Sequence, residues 1–361
     1  MNSITASAPG KILLLGGYSV LAKGNIAYSI TVDVFVHARI KKRKDNRIIV
    51  NSPQLKIRLE TTLDYIERLK IDDKNKFMLE TIKIIIKYLK QRGMELSGFE
   101  LTTTSDKAFS VRKGKSGLGS SAAVTVATTA AIFEIIGLKA KENIEQIHKV
   151  AQLAHAIAQK KIGSGFDVAS ACHGSILYSR FDLELLNLDK IDQTLAKNLD
   201  CIVENMPFPK TFELVMASFP KESMSSTKAS SRVMEYKKKN PEKYFDLIRD
   251  LNIQNELTLI AMEKNNLTQF KEHFEKARLL TKKLGVLSGV EIEGNEQTKL
   301  IEETKENGAF VAKLPGAGGR DSIIALCLNK KDAQKVKDFW KKKKLNLLDV
   351  KVQNEGVKIS K

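Results

Sequence analysis

The stretch Lys115-Ser116-Gly117-Leu118-Gly119-Ser120-Ser121-Ala122-Ala123 leads without a break into small residues through Val124 and Ala127 to Ala131. Glycines let a backbone turn sharply and approach a ligand closely. A helix N-terminus adds unpaired N–H groups and the positive end of a dipole, so a Gly-Ser loop opening a helix can cradle phosphate. Ser120 and Ser121 suit three roles, helix cap, phosphate donor and Mg²⁺ ligand, and all three stay open at this point. The stretch is neither G-x-x-x-x-G-K-[ST] nor G-x-G-x-x-G after a strand, and the start of a helix alone would also explain it. The uncharged run from Ser116 to Phe133 has glycines and hydroxyl side chains that suit a buried helix better than lipid.

Upstream of this loop the pattern is mainly β. Ile4 to Leu15 is largely apolar, Val32 to Ile40 alternates imperfectly, and Ile48 to Val50, Leu55 to Leu59 and Phe99 to Thr104 continue the strands. Phe77 to Leu89 is too long for a typical strand and reads as a well-buried helix. Downstream, helices are expected over Ser120 to Ile136, Ile144 to Lys160 and Phe166 to Cys172, then a strand at Ile176 to Tyr178. Leu183 to Asp200 carries only weak helix signals. The clearest break is Pro207-Phe208-Pro209, so the chain divides into an N-terminal domain of residues 1–200 and a C-terminal domain of residues 201–361. The second part opens with a strand at Phe212 to Ser218. Helices follow over Ser225 to Lys239, Phe245 to Glu263, Thr268 to Leu284 and Glu296 to Lys305. Strands at Ala309 to Leu314 and Ile323 to Leu328 flank a glycine turn, and a helix at Asp332 to Lys343 and a strand at Leu347 to Val352 finish the chain. This order lacks regular βαβ alternation and favours an α+β fold.

Three more segments carry chemistry. Pro315-Gly316-Ala317-Gly318-Gly319-Arg320-Asp321 holds more glycines than a hairpin needs, which suits backbone approach to a ligand, with Arg320 able to clamp an anion. Gly163-Ser164-Gly165-Phe166-Asp167 places a carboxylate at a helix start, where it also serves as a cap. In Ser7-Ala8-Pro9-Gly10-Lys11 a lysine enters an apolar strand, which is costly unless it snorkels, is paired or faces a ligand. His155 shares a helix face with Ala151 and Ala158 and reads as a packing histidine, with no metal motif around it.

The chain has 361 residues and a formal charge of +18. Its length exceeds what one core usually supports, and its 42% hydrophobic and 28% charged residues describe a folded globular protein. Met1 to Gly10 has no basic region, so no secretory leader is expected. Cys172, Cys201 and Cys327 are too far apart for a disulfide framework, which points to a cytoplasmic location. The basic runs Lys41 to Lys44, Lys237 to Lys239 and Lys341 to Lys344 are scattered and poor in aromatic neighbours, so they read as solvated faces.

Three of these elements stand in the order found in the GHMP kinase superfamily. Ala8-Pro9-Gly10-Lys11 resembles its first motif, Gly117 to Ala123 its second, and Gly316 to Asp321 its third. Within the superfamily the likeness is strongest to the phosphomevalonate kinase family. The start, Ala8 to Gly17 with Tyr18-Ser19-Val20-Leu21, is similar, as are Ala154-His155, Ala158-Gln159, Lys161 to Ala169 and Ser225-Ser226-Thr227. Lys160 stands where glycine is expected, Arg320 where the third motif usually has another glycine, and Leu314-Pro315 where a small hydroxyl residue is common.

The resemblance implies two α+β domains with ATP and substrate in the cleft between them. It implies ATP-dependent phosphorylation of (R)-5-phosphomevalonate to (R)-5-diphosphomevalonate with Mg²⁺, in the mevalonate pathway to isoprenoids. Lys11 and Asp167 would be catalytic. Lys115, Gly117, Leu118, Gly119, Ser120 and Ser121 would hold ATP, with Ser120 on the metal. Lys11, Ser164, Gly165, Asp167, Ser226, Gly318, Gly319 and Arg320 would face the substrate. The expected partners are these small molecules, with no nucleic acid and no membrane. Two alternatives stand beside this reading: a kinase for mevalonate or another derivative of it, and, because of the +18 charge, a nucleic-acid-binding protein.

Overall fold

The computed structural model describes residues 3–109, 116–160, 163–180, 190–196, 202–220 and 224–360. Its first sheet is built around two long antiparallel strands, β1 (Ile4–Leu15) and β2 (Ile26–Lys42). Beyond them lie β5 (Phe99–Ser105), then β3 (Arg47–Ser52) and β4 (Ile57–Thr62), with β3 and β5 the parallel pair. β6 (Ile176–Ser179) pairs with β2, and β7 (Val203–Asn205) with β6. β4 starts later than Leu55 because Pro53–Leu55 forms a short 3-10 turn that ends on Lys56 at φ +56°.

β2 shows why period-two reading found only part of it. Val34, Val36, Ala38 and Ile40 are buried while Asp33 and Arg39 are exposed, which is the signature of a half-covered strand. Ala27 to Val32 is buried at every position, so no alternation survives. On one side, α1 (Lys76–Gln91), α2 (Ser120–Ile135) and α3 (Ile144–Ala158) pack Ile82, Leu89, Ala127, Phe133 and Leu153 against Ala38, Ile40 and Val50. On the other, Ile12, Leu14, Tyr28 and Ile30 share a core with Phe212, Met216, Phe270 and Ile324 from the second half of the chain.

α2 is hydrophobic all round, as a helix enclosed on every side must be. Its hydroxyls are satisfied within the helix: Thr125 donates to the Ser121 carbonyl at 2.9 Å and Thr129 to the Thr125 carbonyl at 2.8 Å. α4 (Phe166–His173) follows, and α5 (Ile191–Ala196) is the described part of the weak helical region. No helix among the described residues is long and apolar enough to cross a membrane.

The second sheet is antiparallel, in the order β11 (Asn346–Leu348), β8 (Glu213–Ser218), β10 (Ser322–Cys327), β9 (Val311–Lys313). α9 (Asn295–Glu306) and α10 (Lys330–Lys342) cover it through Ile301, Val336 and Trp340. The Trp340 indole N–H donates to Thr304 Oγ1 at 2.9 Å, which satisfies the polar atom of a fully buried ring. α6 (Ser226–Lys239), α7 (Pro241–Glu263) and α8 (Leu267–Ser288) form a helical layer beside the cleft. The three lysine runs end β2, α6 and α10, and at the helix ends positive charge meets the negative end of a dipole.

The end of the chain differs from the single strand expected at Leu347 to Val352. β11 stops at Leu348, β12 (Val352–Gln353) pairs with β2, and β13 (Lys358–Ser360) pairs with β1. A reciprocal pair drives the switch: the Asp33 N–H donates to the Lys351 carbonyl at 2.9 Å, and the Lys351 N–H donates to Asp33 Oδ1 at 2.6 Å. The last residues thus rejoin the first sheet. Short polar segments of this kind have no periodic signal, and only the partner strands supply their register.

Candidate active site

Between the two sheets lies a cleft with a cavity of about 840 Å³. Three helices begin at its wall. Ser120 and Ser121 open α2, Phe166 and Asp167 open α4, and Ser226 and Thr227 open α6. The first N–H groups of each helix lack intrahelical partners, so the wall presents three positive dipole ends to one space. Lys11, Lys76, Lys160 and Lys228 add four cations to the lining, and Asp73, Asp167 and Asp321 add three carboxylates. The cleft is built for anions, with acidic oxygens left to organise cations among them.

Lys11 sits at the centre. It lies on β1, 8% exposed, and its backbone N–H donates to the Leu118 carbonyl at 3.0 Å, stitching the strand to the glycine loop. Its Nζ donates to the Gly117 carbonyl at 3.0 Å and lies 5.2 Å from the centre of the Phe166 ring. Burial lowers its pKa below the ordinary 10.5, while Asp167 and then Asp321 pull it back. An apolar strand tolerates this lysine because the chain end faces a ligand cleft with two carboxylates nearby.

The glycine loop owes its shape to backbone dihedrals. Gly119 caps α2 at φ +77°, and a Cβ there would lie 2.7 Å from Lys11 Cε. Gly117 is at φ +73°, where a Cβ would lie 2.8 Å from Ser322 Oγ. Both close approach and left-handed backbone therefore require glycine.

α4 is pinned at its start. Gly165 caps it at φ +88°, and the Ser164 carbonyl accepts the Tyr178 hydroxyl at 2.7 Å. A side chain at Gly165 would run into Gln152, so this glycine packs helix on helix and does not line the cavity. Asp167 Oδ1 accepts the Val168 N–H at 3.1 Å, and Oδ2 stands 4.0 Å from His155 Nε2. Lys160, where glycine was expected, takes φ +56°, the left-handed region that explains the expectation.

Lys11, Gly117, Leu118, Gly119, Ser120, Ser121, Ser164, Asp167 and Ser226 all reach the cavity. Lys115 lies outside the described residues. Pro315 and, within the third motif, Gly316, Ala317 and Asp321 line the cavity, while Gly318, Gly319 and Arg320 do not. The Gly319 N–H donates to the Ile292 carbonyl at 2.7 Å, and Gly318 packs so tightly on Ile292 that a Cβ would meet its carbonyl oxygen. Arg320 is held by Glu291 and Glu296, each at 3.3 Å. Two acidic partners on the outer side draw the guanidinium off the cleft.

Sequence reasoning gave no role in the site to four participants. His155, read as a packing residue, is buried between Phe77, whose ring it stacks on at 5.0 Å, and Ser121, whose Oγ lies 3.2 Å from its Nε2. Burial holds its pKa below the ordinary range despite Asp167, so the ring is neutral and links the start of α2 to the start of α4. Tyr18 donates its hydroxyl to the Ala317 carbonyl at 3.0 Å and so ties the turn after β1 to the third motif across the cleft. Lys313 reinforces that tie through the Leu14 carbonyl at 3.1 Å. Asp321 biases Lys11 from the second sheet. None of these pairings has a local signature, because each joins segments far apart in the chain.

Known proteins are similar to this chain in sequence and in fold. Residues 80–175 match the GHMP kinases N terminal domain, and residues 259–346 match the GHMP kinases C terminal domain. The chain is 31% identical to phosphomevalonate kinase of Saccharolobus solfataricus over 99% of both proteins. It is 30% identical to phosphomevalonate kinase of Candida albicans over 89% of each. Among crystal structures, Streptococcus pneumoniae phosphomevalonate kinase in complex with phosphomevalonate and AMPPNP superposes with a TM-score of 0.78. That match has 20% identity and covers 98% of this chain and 100% of the other.

Proposed function

We propose, from the premise that this chain belongs to the GHMP kinase family, that it transfers the γ-phosphoryl group of ATP to the phosphate of (R)-5-phosphomevalonate. The products are (R)-5-diphosphomevalonate and ADP, in the mevalonate pathway of isoprenoid biosynthesis. The observation that carries this reading is the full-length 31% identity to a phosphomevalonate kinase, with every expected ATP-side residue among the described ones lining one cleft. Two-phosphate chemistry also suits a cleft faced by three helix N-termini and four lysines.

An oxygen of the acceptor phosphate attacks the γ-phosphorus, the bond to the β–γ bridging oxygen breaks, and the electron pair leaves with ADP. The acceptor is a phosphate monoester with a second pKa near 6, so at neutral pH it is mostly a dianion and needs no base. The obstacle is repulsion between two anions, and positioning with electrostatic stabilisation supplies nearly all the catalysis. Lys11 places a cation where both phosphates converge. The loop from Gly117 to Ser121 and the start of α2 hold the phosphates of ATP, and Ser226 at the start of α6 faces the acceptor. Asp167 keeps Lys11 charged and in place. The Ser120 hydroxyl and the Asp167 carboxylate, both lining the cleft, are oxygen donors that would hold Mg²⁺, and the ion would supply positive charge against the phosphates of ATP. Cytoplasmic residence is part of this proposal, since Cys172 and Cys327 are free, buried thiols of a kind that suits a reducing compartment.

A coupled assay that offers mevalonate and 5-phosphomevalonate side by side tests the substrate. ADP release with 5-phosphomevalonate and little with mevalonate is expected, and equal or faster turnover of mevalonate would overturn the assignment. A second measurement separates the roles of the carboxylate and the cation. Because no proton must be removed, Asp167→Asn is expected to lose about 10²-fold in kcat, the low end for a general base, and to remain clearly more active than Lys11→Met. A larger loss for Asp167→Asn at saturating Mg²⁺ would assign it the dominant role.

A further inference from the structure

On the side of the N-terminal domain away from the cleft, α3 and α4 bring Glu145, His148 and His173 together. One donor atom from each lies within 4.8 Å of the other two. Glu145 and His148 are three residues apart on α3 and so share a face. His173 is the last residue of α4. We propose that these three residues form a divalent transition-metal site, suited to Zn²⁺, that clamps the N-terminal end of α3 to the C-terminal end of α4.

The imidazoles carry the argument. His148 is 3% exposed, yet its Nε2 has no hydrogen-bond partner, and the Nε2 of His173 is likewise buried and unpartnered. Two orphaned ring nitrogens on neighbouring imidazoles are unusual, since buried polar atoms are nearly always satisfied. The rings meet edge to face with centroids 4.9 Å apart, which gives neither nitrogen a donor. A metal ion held by the cluster would give the His148 nitrogen the partner it lacks.

Glu145 completes the set as a movable arm. Its side chain is 74% exposed and one oxygen stands 3.8 Å from His173 Nδ1. A tetrahedral site with bonds near 2.1 Å has ligands roughly 3.4 Å apart, so the present spacing, up to 4.8 Å, is somewhat wide and would tighten on binding. Two nitrogens and one carboxylate suit zinc, with water as a fourth ligand, and do not suit Mg²⁺, which prefers oxygen alone. A cation at the end of α4 also meets the negative end of that helix dipole.

The consequence reaches the cleft. α3 runs from His148 to His155, about 10 Å along the helix axis, and α4 runs back from Asp167 to His173, about 9 Å. The two helices therefore touch at both ends, through His155 and Asp167 at the cleft and through the histidine pair at the far side. Metal at the far end would fix the angle between them.

The full chain, stripped with a chelator and dialysed against Zn²⁺, is expected to retain about one ion per chain by elemental analysis. Its melting temperature should rise with Zn²⁺, and Co²⁺ in place of Zn²⁺ should give the visible absorption of a four- or five-coordinate nitrogen-oxygen site. Glu145→Gln changes only an exposed side chain and should weaken retention at least tenfold, and His173→Gln should abolish it along with the Co²⁺ bands. Failure of the parent protein to retain stoichiometric Zn²⁺, or equal retention and equal spectra in both variants, would overturn the proposal.

Discussion

Lys11→Met is expected to lower kcat by about 10³-fold while KM for ATP changes little, because the cation is needed most where charge builds between two phosphates. Methionine keeps the length and apolar stem that pack beside Phe166 but removes the ammonium. It also removes the hydrogen bond to the Gly117 carbonyl, so part of the loss comes from a looser glycine loop. The pH profile separates these contributions. Burial lowers the Lys11 pKa, so as pH rises the free enzyme loses this charge earlier than an ordinary lysine near 10.5 would. The kcat/KM profile of the parent enzyme should therefore fall on its alkaline side, and that limb should be missing from the residual activity of Lys11→Met. A variant within tenfold of the parent in kcat would show that the cation is not central.

Gly119→Val should reduce ATP turnover by at least about 10³-fold without unfolding the protein, judged by steady-state kinetics beside circular dichroism. At φ +77° a β-branched residue is strained by more than the roughly 1–2 kcal/mol of an ordinary L-residue in the left-handed region. Its Cβ would also lie 2.7 Å from Lys11 Cε, and the added methyls would extend into the space where phosphate approaches. The flexible lysine can yield, so the fold survives, but it yields by leaving its place over Phe166 and against Gly117. Activity near the parent level in a folded variant would reduce this loop to a helix start. The two variants are coupled through one contact, so their effects should not add.

Much of the architecture was legible because the relevant forces are local. α1, α2 and α4 begin and end within two residues of where apolar periodicity, small residues and left-handed glycines place them. The first half of β2 was not legible, because strands covered on both faces lose their alternation. Nor were β12 and β13, whose register comes from β2 and β1 some three hundred residues upstream.

The site divides in the same way. Lys11 betrayed itself as a charge inside an apolar strand, and Gly117 to Ser121 as a Gly-Ser loop opening a helix, which can cradle phosphate. A single chain displays such local signals without any partner in view. Arg320 carried an equally suggestive charge, yet Glu291 and Glu296 hold it outside the cleft. His155 looked bland and stands between Ser121 and Asp167. By itself the sequence determined which residues are costly to keep unless they meet a ligand. Which of them meet one another was decided only by the tertiary structure, because electrostatic pairing depends on distances of a few ångströms between segments that packing alone brings together.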